Sequence, residues 1–122
     1  MLIALLLLGG AVGAPARFLL DGFVQDRVAG VFPWGTLVIN VSGSLLLGII
    51  TGLSLYHGLG ALPRTAIATG FCGAFTTFST FSYETVRLLE EGSVGLAAGN
   101  AFGSVAAGLS AAAIGLAITA AI

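Results

Sequence analysis

Charged positions punctuate this chain only at Arg17, Asp21, Asp26, Arg27, Arg64, Glu84, Arg87, Glu90 and Glu91. Between them lie four long stretches with almost no charge: Leu2 to Leu20, Val28 to Pro63, Thr65 to Tyr83 and Gly92 to Ile122. A helix of about 20 apolar residues crosses a bilayer core, so each stretch is long enough to span. The pattern predicts an all-α integral membrane protein with four transmembrane helices over about 2–20, 33–57, 64–84 and 93–120, forming one domain over residues 1–122 with short connections. Pro33 can open the second helix and Trp34 can anchor it, while Tyr56 and His57 mark its far end; at helical rise Trp34 to Tyr56 measures roughly 33 Å. Gly58 and Gly60 make a turn ahead of Pro63 and Arg64.

Composition sharpens this. Of the 122 residues 57% are hydrophobic and 7% charged, with a net charge of −1, too little charge to cover a soluble domain. Four scattered arginines offer no basic face, so nucleic acid is not expected as a partner. The apolar start resembles a signal peptide but lacks a basic leading region, and it reads as the first membrane helix. Cys72, the single cysteine, cannot form an internal disulfide and reads as a small buried apolar residue. With four spans, Arg27 and Arg87 face one side, with Arg17 leaning the same way, and Arg64 and the terminal amine face the other. Such a weak bias allows insertion in both orientations, which leads us to expect an antiparallel dimer.

Small residues recur at four-residue spacing as Gly9 with Gly13, as Ser44 with Gly48 and Gly52, and as Gly95 with Gly99 and Gly103. In lipid such stripes let helices approach, within a subunit or between subunits. The third span is the anomaly. Its run from Gly70 to Ser82 carries two glycines and the five hydroxyls of Thr76, Thr77, Ser79, Thr80 and Ser82. Adjacent β-branched Thr76 and Thr77 weaken a helix, and hydroxyls compete for its backbone bonds. A break near Gly73 to Thr77 is expected, although hydroxyls bonding back to the preceding turn of an intact helix are an equal alternative. Carbonyls freed by a break could coordinate a cation.

Phe75, Phe78 and Phe81 recur every three residues and are expected near one face, either as packing or with their positive ring edges turned to an anion path. In the second span Thr36 and Asn40 share a face, and Asn40 offers two N–H donors, for a pore or for a neighbouring helix. Asn100 and Ser104 repeat that spacing in the fourth. No carboxylate, lysine or histidine sits centrally in any span, so neither enzymatic chemistry nor proton coupling has a candidate residue. A small proton-coupled exporter of cationic solutes would need a central acid, and Asp21 and Glu84 lie at span ends. A membrane assembly subunit without transport of its own remains the other alternative.

Three blocks carry a resemblance: Gly9-Gly10-Ala-Val-Gly13-Ala14-Pro-Ala-Arg17-Phe18, Pro33-Trp-Gly35-Thr36-Leu37-Val-Ile-Asn40-Val-Ser-Gly43, and Gly70-Phe-Cys-Gly73-Ala-Phe-Thr76-Thr77-Phe78-Ser79-Thr80-Phe81. Together they resemble the Fluc (CrcB) fluoride channels, over essentially the whole chain. The resemblance implies a dual-topology antiparallel homodimer in the inner (plasma) membrane, with two fluoride pores and a structural sodium ion at the dimer interface, where the third helices break near mid-membrane. It further implies Asn40 as a pore-lining donor, Phe78 and Phe81 as the phenylalanines contacting fluoride, and Thr77, Ser79 and Thr80 as nearby hydroxyls. Arg17 would stand near a vestibule, and the backbone carbonyls of Gly73 and Thr76 would hold the sodium. Phe18, Ala74 and Leu45 depart from residues common in the family, and Asn100 falls about where some members place a pore-lining Tyr. Ser104 enters as a further lining residue.

Overall fold

Peptide N–H and C=O groups left unpaired in hydrocarbon cost several kcal/mol each, so a chain this apolar has to close its backbone bonds locally. The computed structural model, which describes residues 1–122, does so with helices throughout. They are α1 (Leu2–Gln25), α2 (Trp34–Tyr56), α3 (Ala61–Thr65), a π-helical stretch (Ala66–Phe71), α4 (Cys72–Phe75), α5 (Ser79–Glu90) and α6 (Val94–Ala121). Three of them, α1, α2 and α6, are long and apolar enough to cross a membrane. The protein is a helical, multi-pass membrane protein. The segment between α2 and α6 runs on as one bent element, interrupted at Thr76–Phe78.

Helix ends follow local chemistry. Pro33 precedes α2, and Pro15 lies inside α1 without ending it. Gly92 closes α5 with φ +81°, its N–H on the Leu89 carbonyl and that of Ser93 on Leu88, the crossed pair that ends a helix on a left-handed residue. His57 caps α2, and its Nε2 lies 2.7 Å from the Thr119 carbonyl near the end of α6.

Glycines set which helices touch. A Cβ on Gly115 would lie 2.5 Å from the Leu45 carbonyl and one on Gly48 would meet the Ala112 carbonyl, so α2 and α6 pack backbone to backbone there, while Gly52 makes room for the Thr119 side chain. Across the bundle, a Cβ on Gly9 would lie 2.6 Å from the Ala66 carbonyl and one on Gly13 2.5 Å from that of Phe71. Here α1 presses against the π-helical stretch and α4. Two of the three stripes are thus used within the subunit, whereas Gly95, Gly99 and Gly103 have no neighbour within 4 Å.

The interruption differs in detail from the expected one. Gly70 is in the π-helical stretch and Gly73 is in α4, so neither glycine breaks the helix; the two threonines and Phe78 do. Replacing Gly115 by Val should destabilise the detergent-solubilised protein by roughly 2 kcal/mol through overpacking, whereas Gly99→Val should change it by less than about 0.5 kcal/mol. Thermal unfolding of the two variants side by side measures the contrast.

Candidate functional site: an unwound segment clasped by neighbouring helices

The helix stops where its hydroxyls take over backbone duties. Thr76 turns extended (φ −79°, ψ 160°), and both its N–H and its Oγ1 donate to the Cys72 carbonyl, at 2.9 and 2.8 Å. The next peptide has no helical partner. Instead Asn40 of α2 meets it from both sides: Asn40 Nδ2 donates to the Thr77 carbonyl and the Thr77 N–H donates to Asn40 Oδ1, each at 2.9 Å. Thr77 Oγ1 then accepts the Thr80 N–H at 3.2 Å and lies 3.4 Å from Ser79 Oγ, which starts α5 again.

Several groups at the break are left over. The carbonyls of Gly73, Ala74 and Phe75 accept no backbone N–H, and the N–H groups of Phe78 and Ser79 reach no backbone carbonyl. The carbonyls end a helical run and the N–H groups begin one, so partial negative and partial positive charge face each other across three residues. From α1, Arg17 Nη1 donates to the Thr76 carbonyl at 3.4 Å.

An open-sided cavity of about 600 Å³ runs along the break. Among its lining residues are Asn40, Gly43 and Ser44 from α2, Gly73, Thr76, Thr77, Phe78 and Phe81 from the interrupted element, and Ser104 and Gly108 from α6. The fold therefore brings seven of the sequence candidates to one cavity: Asn40, Gly73, Thr76, Thr77, Phe78, Phe81 and Ser104. Thr80 lines a second cavity of about 420 Å³ with Tyr83, Glu84 and Arg87, while Ser79 is exposed and Arg17 lines neither.

One expectation needs correction. The three phenylalanines do not share a face, because the break divides them. Phe75 is buried and stacks on Phe71 (centroids 5.3 Å apart), whereas Phe78, 79% exposed, tilts against Phe81 at 5.9 Å and 45°. Of the two roles open to Asn40, the contact with a neighbouring element is present: one amide N–H and the amide oxygen are committed to Thr77. In α6, Asn100 is buried, donating to Thr85 Oγ1 at 2.8 Å and accepting from Ser104 Oγ at 3.2 Å, so it joins α5 to α6. The sequence alone did not reveal a polar contact midway along α5, where Thr36 Oγ1 donates to Glu84 Oε1 at 2.6 Å. Thr36, four residues before Asn40 on one face, was its signal.

Apolar helices around one unwound, hydroxyl-rich segment define a multi-pass membrane protein whose polar chemistry is concentrated in that segment. The chain belongs to the CrcB family: the family model described as "CrcB-like protein, Camphor Resistance (CrcB)" matches residues 4–116. It is similar to proteins named Fluoride-specific ion channel FluC 1 from Frankia casuarinae, 48% identical with 97% of this chain and 95% of the relative covered, and from Streptomyces avermitilis, 51% identical with 92% and 90% covered. Fluoride-specific ion channel FluC of Novosphingobium aromaticivorans is 46% identical, with 94% and 93% covered.

Asn40→Ala should strand both polar groups of the Thr77 peptide, at about 1–3 kcal/mol for each buried group left unpaired. The expected result is a lower unfolding temperature in detergent, and an unchanged one would show that the clasp does not hold the break.

Proposed function

We propose that this chain is a fluoride-selective passive ion channel through which cytoplasmic fluoride leaves down its electrochemical gradient, conferring fluoride resistance. One observation carries the reading: Phe78 and Phe81, unpaired backbone N–H groups and hydroxyls stand together at an open-sided cavity that holds no charged side chain. Its support from relatives is their shared name as fluoride-specific ion channels. A fixed cation there would trap an anion and a fixed carboxylate would exclude it. Hydroxyls, amide N–H groups and positive ring edges can replace part of the hydration shell while binding weakly enough for release. Asn40, Thr77, Phe78, Ser79, Thr80, Phe81 and Ser104 are the proposed path, with Arg17 near its vestibule. Hydrogen fluoride is neutral and enters cells from an acidic medium, then dissociates; a passive path for the trapped anion needs no energy coupling.

In this proposal the interrupted element is the fourth crossing of a single domain in the inner (plasma) membrane. Two copies associate antiparallel, covering the exposed Phe78 ring and the open side of the cavity. The weak bias of positive charge, two or three arginines against Arg64 and the terminal amine, supports insertion in both orientations. A sodium ion at the dimer interface would be held by the carbonyls of Gly73 and Thr76. Carbonyl oxygens suit a hard monovalent cation: the Gly73 carbonyl accepts no backbone N–H, and the Thr76 carbonyl, which accepts from Arg17 at 3.4 Å, keeps a second lone pair for the ion. The ion would neutralise converging carbonyl dipoles.

The test is efflux from proteoliposomes of the purified chain under valinomycin, followed with fluoride and chloride electrodes. Fluoride should leave without chloride, and Phe78→Ala should slow it at least about tenfold, equivalent to about 1.4 kcal/mol of barrier. No release of either ion from folded, dimeric protein would favour the exporter or the assembly subunit. Exchanging sodium for N-methylglucamine should reduce the dimer fraction measured by cross-linking.

A further inference from the structure

Arg17 is the one arginine whose hydrogen bond joins two elements distant in the chain, whereas Arg27 donates to the Phe23 carbonyl one turn back. Arg87 pairs with Glu91 at 3.0 Å, the one ion pair in the molecule, and Arg27 lies over the Phe23 ring at 3.6 Å near the end of α1. Arg17 is half-buried and reaches no carboxylate. Asp21, one turn further along α1, packs its Oδ1 against Gly35 instead. The only hydrogen bond Arg17 makes is to the Thr76 carbonyl.

Its placement follows from the register of α1. Gly9, Gly13 and Arg17 recur every four residues and so share one helix face. The two glycines bring the α1 backbone onto Ala66, Gly70 and Phe71, then onto Phe75. One turn later that face reaches Thr76, where the run of helix ending at Phe75 presents its unpaired carbonyls. Positive charge is favoured at such a C-terminal end.

We infer that Arg17 is a positioning residue that clasps the break from α1, capping the Thr76 carbonyl as Asn40 clasps the Thr77 peptide from α2. This rests on the reading of the break as the ion-handling segment, but it concerns how the break is held within one subunit. Arg17 thus brings a cation to the broken helix end before any ion is bound, and it acts on fluoride through the shape of the break.

Cys72, the single cysteine, gives a direct readout. It is 3% exposed, sits one turn before Thr76 and supplies the carbonyl that closes α4. Labelling of the full-length protein in liposomes with N-ethylmaleimide reports opening of the segment. Arg17→Met should raise the Cys72 labelling rate about fivefold, equivalent to about 1 kcal/mol, the upper end of the usual worth of a charge at a helix end. Arg17→Lys should restore it to within about twofold of the unmodified chain, because the cation is kept. Arg17→Gln, which keeps a donor without the charge, serves if the Met variant does not fold. Equal labelling in all variants would overturn the clasp. So would a lost fluoride flux that returns at high fluoride concentration with labelling unchanged, since Arg17 would then only attract anions. Failure of the channel reading is separate: it appears as absence of flux from the unmodified chain, on which the labelling comparison does not depend.

Discussion

Everything distinctive in this protein depends on how the backbone at Thr76–Phe78 finds hydrogen-bond partners outside its own helix. A helix in hydrocarbon closes its own hydrogen bonds, so unwinding one at Thr76–Phe78 would be prohibitive without partners supplied from outside. The two bonds between Asn40 and the Thr77 peptide supply them, because a primary amide offers a donor and an acceptor in the same relation as another backbone unit. Threonine hydroxyls finish the two ends, one closing α4 on Cys72 and the other starting α5 at Thr80. The carbonyls and N–H groups that remain unpaired are what give an otherwise greasy bundle its polar chemistry.

That arrangement needs close helices, and glycine provides them. Where lipid offers no hydrophobic drive for association, helices hold together through backbone approach and interhelical hydrogen bonds. Gly9 and Gly13 carry α1 onto the interrupted element, and Gly48, Gly52 and Gly115 lock α2 to α6. Asn100 ties α6 to α5 through Thr85. The break is therefore framed on several sides by elements whose spacing is fixed by contact, and the one side left open carries the exposed Phe78. An open groove of this kind suits a partner, which is why a dimer enters the functional proposal.

Charge is placed with equal economy. The large cavity has no ionised lining residue, while Glu84 and Arg87 border the smaller one toward the end of α5. Numerous weak contacts with no charged side chain in the lining suit the passage of a small anion. The same arrangement explains why the sequence offers no proton-coupling acid.

The sequence by itself determined the class, the helices and the identity of the odd element. Uncharged runs of spanning length need nothing but their own apolarity to become membrane helices, and Thr76-Thr77 within a glycine- and hydroxyl-rich run marked the element that would be interrupted, because β-branching and hydroxyls act locally. The family blocks could be recognised from residue identity alone. What the sequence could not decide was which partners each polar group would find. Asn40 fitted a pore or a neighbouring helix equally well until α2 was set beside Thr77. The three phenylalanines looked like one stripe because helical periodicity was carried across residues that are not helical. The Arg17, Thr36 and Asn100 contacts join residues 59, 48 and 15 positions apart, and only packing brings them within hydrogen-bond reach. Local chemistry decided where the backbone breaks, and tertiary structure decided what holds the break and what remains free to meet an ion.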